Sequence, residues 1–302
     1  HRDLHSFPTR RSSDLEKIQI RGNTRTKDKV IRRELAVAPG EVFDMVKVKL
    51  SKRRLEGTQF FERVEANPEP TDVPDRRDLV VSVAERNTGN IALGAGFSSV
   101  DNLLGFVEVT QGNFDLFNPP WFRGGGQKAR LRIQIGARRK DYELTFIEPW
   151  FLGKKLAFQV DLYHRELDFL SLHDYYSEVE TGARFGLTKA LGSEYLIGGV
   201  SYTIENIGIL DVPDDAPQVI KDEEGYRLVT KFGTSLAYDT RNSVTLPDRG
   251  QRTEIRNTVA GPFGGDTDFY KFELSSHWFF KGFVTNHVIE VAGRIGTVDS
   301  YG

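Results

Sequence analysis

The residue types able to do covalent or acid–base chemistry are sparse and scattered in this chain. Its six histidines are His1, His5, His164, His173, His277 and His287, and cysteine is absent. Without cysteine there is no disulfide framework, thiolate zinc site, iron–sulfur cluster or thiol nucleophile. His173 and Asp174 stand near Ser171 and Ser177, the types a hydrolase combines to activate a hydroxyl. No nucleophile elbow accompanies them, so they read as an outer loop. No His-x-x-x-His pair offers a zinc site. Gly124-Gly125-Gly126 could turn backbone amides toward a phosphate, but the run sits in a turn and not between a strand and a helix. Asp211, Asp214, Asp215, Asp222, Glu223 and Glu224 form an acidic cluster whose spacing fits no EF-hand loop. It reads as a solvated loop. The chain is therefore expected to be no enzyme and to need no cofactor.

A different set of charges recurs in alternation with apolar residues: Arg132, Glu143, Lys231, Glu254, Arg256, Glu290 and Arg294. The elements that hold them must be strands. Ala129, Leu131, Ile133 and Ile135 alternate with Lys128, Arg130, Arg132 and Gln134. Tyr226, Leu228, Phe232, Leu236 and Tyr238 oppose Arg227, Lys231 and Asp239. Tyr270, Phe272, Leu274, Ser276, Trp278 and Phe280 oppose Lys271, Glu273 and His277. In a soluble sandwich the apolar face would be core. In a membrane barrel it faces lipid while the charges line a wet lumen.

Composition leaves the barrel open and closes other routes. The 302 residues hold 41 Lys+Arg and 43 Asp+Glu, a formal net charge of −2, which excludes bulk electrostatic capture of nucleic acid. No apolar run reaches the roughly 18 residues of a membrane helix. Hydrophobic content is 38%, yet aromatics reach 11% and glycines number 29, which suits a β-rich protein with two differently solvated faces. Eleven strands are expected from Asn90 onward, near 90–98, 103–113, 127–137, 141–148, 155–166, 174–188, 195–207, 225–239, 250–260, 268–280 and 286–297. Many reach about ten residues, the length of a tilted membrane strand. If the first strand runs outward, Trp121-Phe122, Trp150-Phe151 and Trp278-Phe279 all fall at periplasmic strand ends, as an interfacial aromatic girdle requires. The acidic connection from Leu210 to Gly225 then falls outside.

Ahead of the strands stands a small α/β module. Glu16–Ile20 reads as a strand closed by Arg21-Gly22-Asn23. Thr24 or Thr26 can cap a helix to about Leu35, and Asp44 a second with Val46, Leu50 and Leu55 inward and Gly57 as its stop. Strands at 61–67 and 78–85 follow, the latter alternating at Leu79, Val81 and Val83. Together with Ile31-Arg32-Arg33-Glu34-Leu35 and Phe60-Phe61-x-x-Val64, this order resembles a POTRA domain. A POTRA presents an open sheet edge, here carried by Phe61, Val64 and Ala66, where an extended peptide can add as a strand.

Beyond the module, Glu85-Arg86-Asn87-Thr88-Gly89 joins it to the first long strand. A glycine–asparagine–phenylalanine run follows within 101–117, then Ile147-Glu148-Pro149-Trp150-Phe151, Tyr238-Asp239-Thr240-Arg241-Asn242 and Pro247-Asp248-Arg249-Gly250. In this order the residues resemble the BamA family of outer-membrane protein assembly factors. The resemblance implies a mainly β chain, with one α/β POTRA domain followed by about eleven of the family's sixteen antiparallel transmembrane strands. The domains are expected at 1–15 (a non-native tail), 16–86 (the last POTRA) and 87–302 (a truncated barrel), in a fragment of a longer protein. The resemblance further implies ATP-independent insertion of β-barrel clients through a poorly zipped first strand. That gate strand is carried by Asn90, Ala92, Gly94, Gly96 and Ser98, whose small residues leave one face nearly bare. Implied partners are outer-membrane lipid, unfolded outer-membrane protein clients and BAM accessory lipoproteins, with no nucleic acid. The implied location is the bacterial outer membrane, with the POTRA in the periplasm. The family's Arg-Gly-aromatic loop motif is absent here. The alternatives are a POTRA-bearing secretion pore of the two-partner type, a relative of the translocation and assembly module, and a lipase-like barrel that lacks its Ser–His pair.

Overall fold

The computed structural model describes residues 14–98, 102–170, 175–244, 246–284 and 287–301. The expected tail up to position 13 lies outside the described residues, as do Ser171, His173 and Asp174. The chain divides into two compact units. One holds the residues up to Asn90 together with Thr110–Lys128, and the other holds Ile91–Val109 and everything from Ala129 onward.

The first unit contains β1 (Asp14–Arg21), α1 (Asp28–Arg32), α2 (Met45–Gly57), β2 (Phe61–Pro70) and β3 (Arg76–Glu85). Its sheet runs β1-β3-β2, with β1 parallel and β2 antiparallel to β3. Leu79, Val81 and Val83 on β3 meet Ile31, Val48 and Leu55 from the helices in one core. Burial of each large side chain contributes about 1.5–3 kcal/mol.

Three expectations need correction in this module. β1 begins at Asp14, and Leu15 lies in the core at 1% exposure, so the expected boundary at Leu15 is two residues late. On α2 the inward residues are Val48, Ser51 and Leu55, whereas Val46 is 74% exposed. Alternating valines and lysines from Val46 to Leu50 fit either face, and Ser51 is inward because its hydroxyl accepts from the Ala36 amide at 2.8 Å. Neither Thr24 nor Thr26 caps a helix. α1 starts at Asp28, and both threonines are claimed by a partner elsewhere in the fold. Asp44 does cap α2, accepting from the Val46 amide at 2.7 Å.

The long strands form one sheet of eleven. They are β4 (Gly89–Ser98), β5 (Asn102–Phe114), β6 (Gln127–Gly136), β7 (Arg139–Glu148), β8 (Ala157–Leu170) and β9 (Tyr175–Ala190), followed by β10 (Leu196–Leu210), β11 (Gly225–Asp239), β12 (Gly250–Ala260), β13 (Phe269–Lys281) and β14 (Val288–Ser300). Each strand neighbours the next in sequence, with β4 and β14 at the two ends of the order. A short helix, α3 (Gln218–Lys221), interrupts the acidic connection between β10 and β11.

Register sorts the side chains into two faces. Directly paired residues share a face. Val160, Phe185, Tyr202, Phe232, Val259 and Tyr270 pair in succession from β8 to β13, making a continuous apolar row. One residue along, Asp161, Arg184, Thr203 and Lys231 pair in succession on the opposite face. The eleven strands, antiparallel and two-faced, are those of a partial membrane barrel.

Candidate functional site

The junction between the α/β module and the long sheet is built around Glu85, the last residue of β3. Its carboxylate accepts from the Thr24 hydroxyl at 2.9 Å, the Arg25 amide at 3.0 Å and the Thr26 amide at 2.6 Å. Burial pushes the Glu85 carboxyl up, but the donors from Thr26, Thr24 and Arg25 outweigh it and hold the group below its ordinary value. Arg86 pairs back to the Phe60 carbonyl, and Asn87 accepts from the Gly89 amide at 3.2 Å. Thr88 accepts from the Gln111 side chain at 2.6 Å and, through its carbonyl, from the Gly112 amide. All five predicted junction residues thus lie in the first unit, beside the foot of β5.

That foot and the turn after it carry residues the sequence reading did not single out. Asn113 is buried and uses both ends of its amide. Its Nδ2 donates to the Thr26 hydroxyl at 2.8 Å, and its Oδ1 accepts from the Gly126 amide at 2.8 Å. Asp115 pairs with Lys27 at 2.5 Å, and the Lys27 amide donates to the Gly124 carbonyl. The Arg33 guanidinium donates to the Gly126 carbonyl at 3.3 Å. Gly124 and Gly126 have positive φ, and a Cβ on either would strike Arg25 or Arg33 and Val30. The glycines are therefore a packing device, because Gly124 lies against the backbone of Arg25 ahead of α1 and Gly126 against Val30 in α1 and Arg33 just after it. Thr26, Glu85, Thr88 and Asn113 line a cavity of about 10 Å³, too small for any ligand larger than water. The only signals available in sequence were the glycine run and the Gly-Asn-Phe stretch.

Along β4 the predicted gate residues separate by face. Ile91, Leu93 and Phe97 are 69%, 72% and 85% exposed. Ala92, Gly94 and Gly96 alternate with them. A Cβ at Gly94 would collide with the Phe106 ring of β5, whereas one at Gly96 would meet nothing. The Arg132 guanidinium lies 5.4 Å from the centroid of that ring. The bare face is thus partly filled by a neighbour's aromatic ring. Asn90 belongs to the first unit, and the Ser98 side chain lies outside the described residues.

The predicted aromatic girdle is placed as follows. Trp121 is exposed in the β5–β6 turn, and Phe122 beside it stacks on Phe114 at 5.7 Å. Trp150 lies in the β7–β8 turn, and Phe151 stacks on Phe158 at 4.8 Å. Trp278 lies on the apolar face near the end of β13. Phe279 does not join it: its pairing with Glu290 turns it to the charged face, and Phe280 is the outward neighbour. In the small module, β2 is an edge strand, but the Phe61 and Val64 side chains are core and Ala66 packs against them. The edge at these positions therefore offers backbone, not side chains.

The predicted charges line the other face in ion pairs. Arg130 pairs with Glu143, and Arg132 reaches Glu108 at 3.9 Å. Arg256 reaches Glu254 at 2.9 Å, and Arg294 pairs with Glu273. Glu290 meets His277 at 2.8 Å. Glu205, 2% exposed, is bonded by the Tyr163 hydroxyl and paired with Lys231. These contacts satisfy charges on a sheet face; they assemble no nucleophile and base.

A POTRA-type module running directly into an up-and-down sheet with one apolar and one charged face defines a POTRA-bearing membrane β-barrel. The Omp85 superfamily domain matches residues 122–302, and the POTRA family of surface antigen variable number repeats matches residues 14–86. The chain belongs to the Omp85 superfamily. It is 29% identical over 285 residues to the outer membrane protein assembly factor BamA of Nitratidesulfovibrio vulgaris, covering 94% of this chain and 34% of that protein. The crystal structure of BamA from Haemophilus ducreyi lacking POTRA domains 1-3 superposes with a TM-score of 0.72 at 22% identity, covering 96% of this chain and 56% of that one. CdiB from Escherichia coli superposes with a TM-score of 0.63 at 11% identity, covering 96% and 55%. The chain spans little more than a third of the length of the BamA relatives it matches.

Proposed function

We propose that this chain is the membrane-proximal part of a bacterial outer-membrane protein assembly factor, with its POTRA module in the periplasm. The observation that carries the reading is the junction. β3 of the POTRA passes through Glu85–Gly89 straight into β4, the terminal strand of the sheet order. That strand has an inner face of small residues at Ala92, Gly94 and Gly96, covered at Gly94 by the Phe106 ring, and an apolar outer face at Ile91, Leu93 and Phe97. A strand with few side chains to interdigitate closes weakly on a partner and leaves its backbone donors and acceptors for another strand. Clients are unfolded β-barrel proteins, taken over by strand addition at β4. The β2 edge of the POTRA docks extended segments through its backbone. The exchange of one strand pairing for another needs no ATP. Accessory lipoproteins are expected at the POTRA.

The test is reconstitution of the full-length gene product in phospholipid vesicles with an urea-unfolded outer-membrane barrel client and no nucleotide. Insertion is read by the client's heat-modifiable gel band. Cysteines at Ala92 or Gly96 should cross-link to the client's terminal strand during insertion. Failure of the protein to accelerate insertion over empty vesicles would overturn the reading. A second reading on the same fold is a POTRA-bearing secretion pore. It predicts instead an open conductance in planar bilayers and export of one dedicated partner, with no general acceleration of barrel insertion.

A further inference from the structure

The strands of the long sheet need an anchor if β4 is to move while its root stays put, and the first unit contains one. The unit takes in the roots of β4 and β5: Gly89, Asn90 and Thr110–Phe114 belong with the POTRA module. The contact is polar and buried. Glu85 holds the Thr26 amide. The Thr26 hydroxyl oxygen accepts from Asn113, whose other end holds the Gly126 amide. Lys27 closes the knot on Asp115, whose side chain is only 4% exposed, and on the Gly124 carbonyl.

From this we infer that Asn113, Asp115 and Lys27 are positioning residues that bolt the β5–β6 turn to the POTRA and so fix the root of the gate strand. Opening of β4 then leaves Gly89 and Asn90 in place with the POTRA. The inference rests on the gate reading above. It commits to asparagine at 113 for a physical reason. An aspartate there keeps the acceptor for Gly126 but loses the donor to Thr26, and brings a second carboxylate to a threonine already engaged by Glu85. Lysine 27 is half-exposed, so its removal spares the POTRA core.

The experiment uses the full-length protein in phospholipid vesicles, with the heat-modifiable band of its own barrel confirming that each variant is folded. Variants are Asn113→Asp, Lys27→Met and the conservative Lys27→Arg. Hydrogen exchange reports the Lys27 and Gly126 amides, and client insertion is measured per folded barrel. Lys27→Met should lose protection at both amides by tenfold or more, and Asn113→Asp at the Lys27 amide while it keeps its acceptor for Gly126; both should slow insertion at least about fivefold, whereas Lys27→Arg should keep both amides near wild type. Lost protection with wild-type insertion overturns the positioning role. Unchanged protection overturns the knot itself. If the wild-type protein inserts no client, the proposed function fails, while the protection of the two amides still reads the knot independently.

Discussion

Glu85 gathers three donors from three successive residues of a turn that the sequence places about sixty positions earlier. A carboxylate so held resists protonation. Its folded pKa lies below its unfolded value, so its contribution is complete above the ordinary carboxylate range and is lost as pH falls through the depressed folded value. Glu85→Gln keeps one acceptor oxygen but loses the charge and turns a donor toward backbone amides. The expected cost is about 1–2 kcal/mol, discounted because the group is only partly buried. Urea unfolding of the N-terminal module at about pH 7 and about pH 4 checks this. The wild type should lose stability on acidification, and the variant should lose less. Equal losses in both proteins would assign the acid sensitivity to other carboxylates.

At the scale of elements, what the sequence made legible was whatever repeats locally. Period-two alternation delivered all eleven long strands within a few residues of their ends, because each strand states its own two faces. The Asp44 cap was legible for the same reason, its partner lying two residues away. What could not be read was set by distant partners. Thr26 has the type of a helix cap, but its partners are Glu85, 59 residues on, and Asn113, 87 residues on. Small residues on β4 fit either a bare gate face or room for a bulky neighbour, and at Gly94 the Phe106 ring takes the room. Phe279 was assigned with its tryptophan neighbour, although adjacent residues in a strand must face opposite ways. The β4–β5 contact gives a prediction of its own. Gly94→Val forces the Phe106 ring off the strand and should destabilise the hairpin by about 1–3 kcal/mol. Gly96→Val, where a Cβ meets nothing, should be near neutral. The transition of the heat-modifiable band of the full-length barrel with temperature distinguishes them, and equal shifts for both would remove the ring-over-glycine contact as the cause.

At the scale of the whole molecule, the two faces of the long sheet meet different media. A sheet whose apolar row runs unbroken from Val160 to Tyr270, with a charged row one residue away, has the polarity of a barrel in lipid. Phe232 and Lys231 are adjacent at the middle of β11 and face opposite ways. In lipid, Phe232→Arg puts a charge at the bilayer midplane and should cost about 2–4 kcal/mol of folding stability. Lys231→Met removes the partner of Glu205, a carboxylate already 2% exposed on the charged face. Tyr163 remains bonded to Glu205, but a nearly fully buried carboxylate loses its cation, so the loss should be about 3–5 kcal/mol. Urea titration of the full-length barrel in phospholipid vesicles measures both. A Phe232→Arg variant as stable as wild type in vesicles would overturn the lipid-facing assignment of the aromatic row, and a Lys231→Met variant as stable as wild type would show that Glu205 does not depend on the lysine.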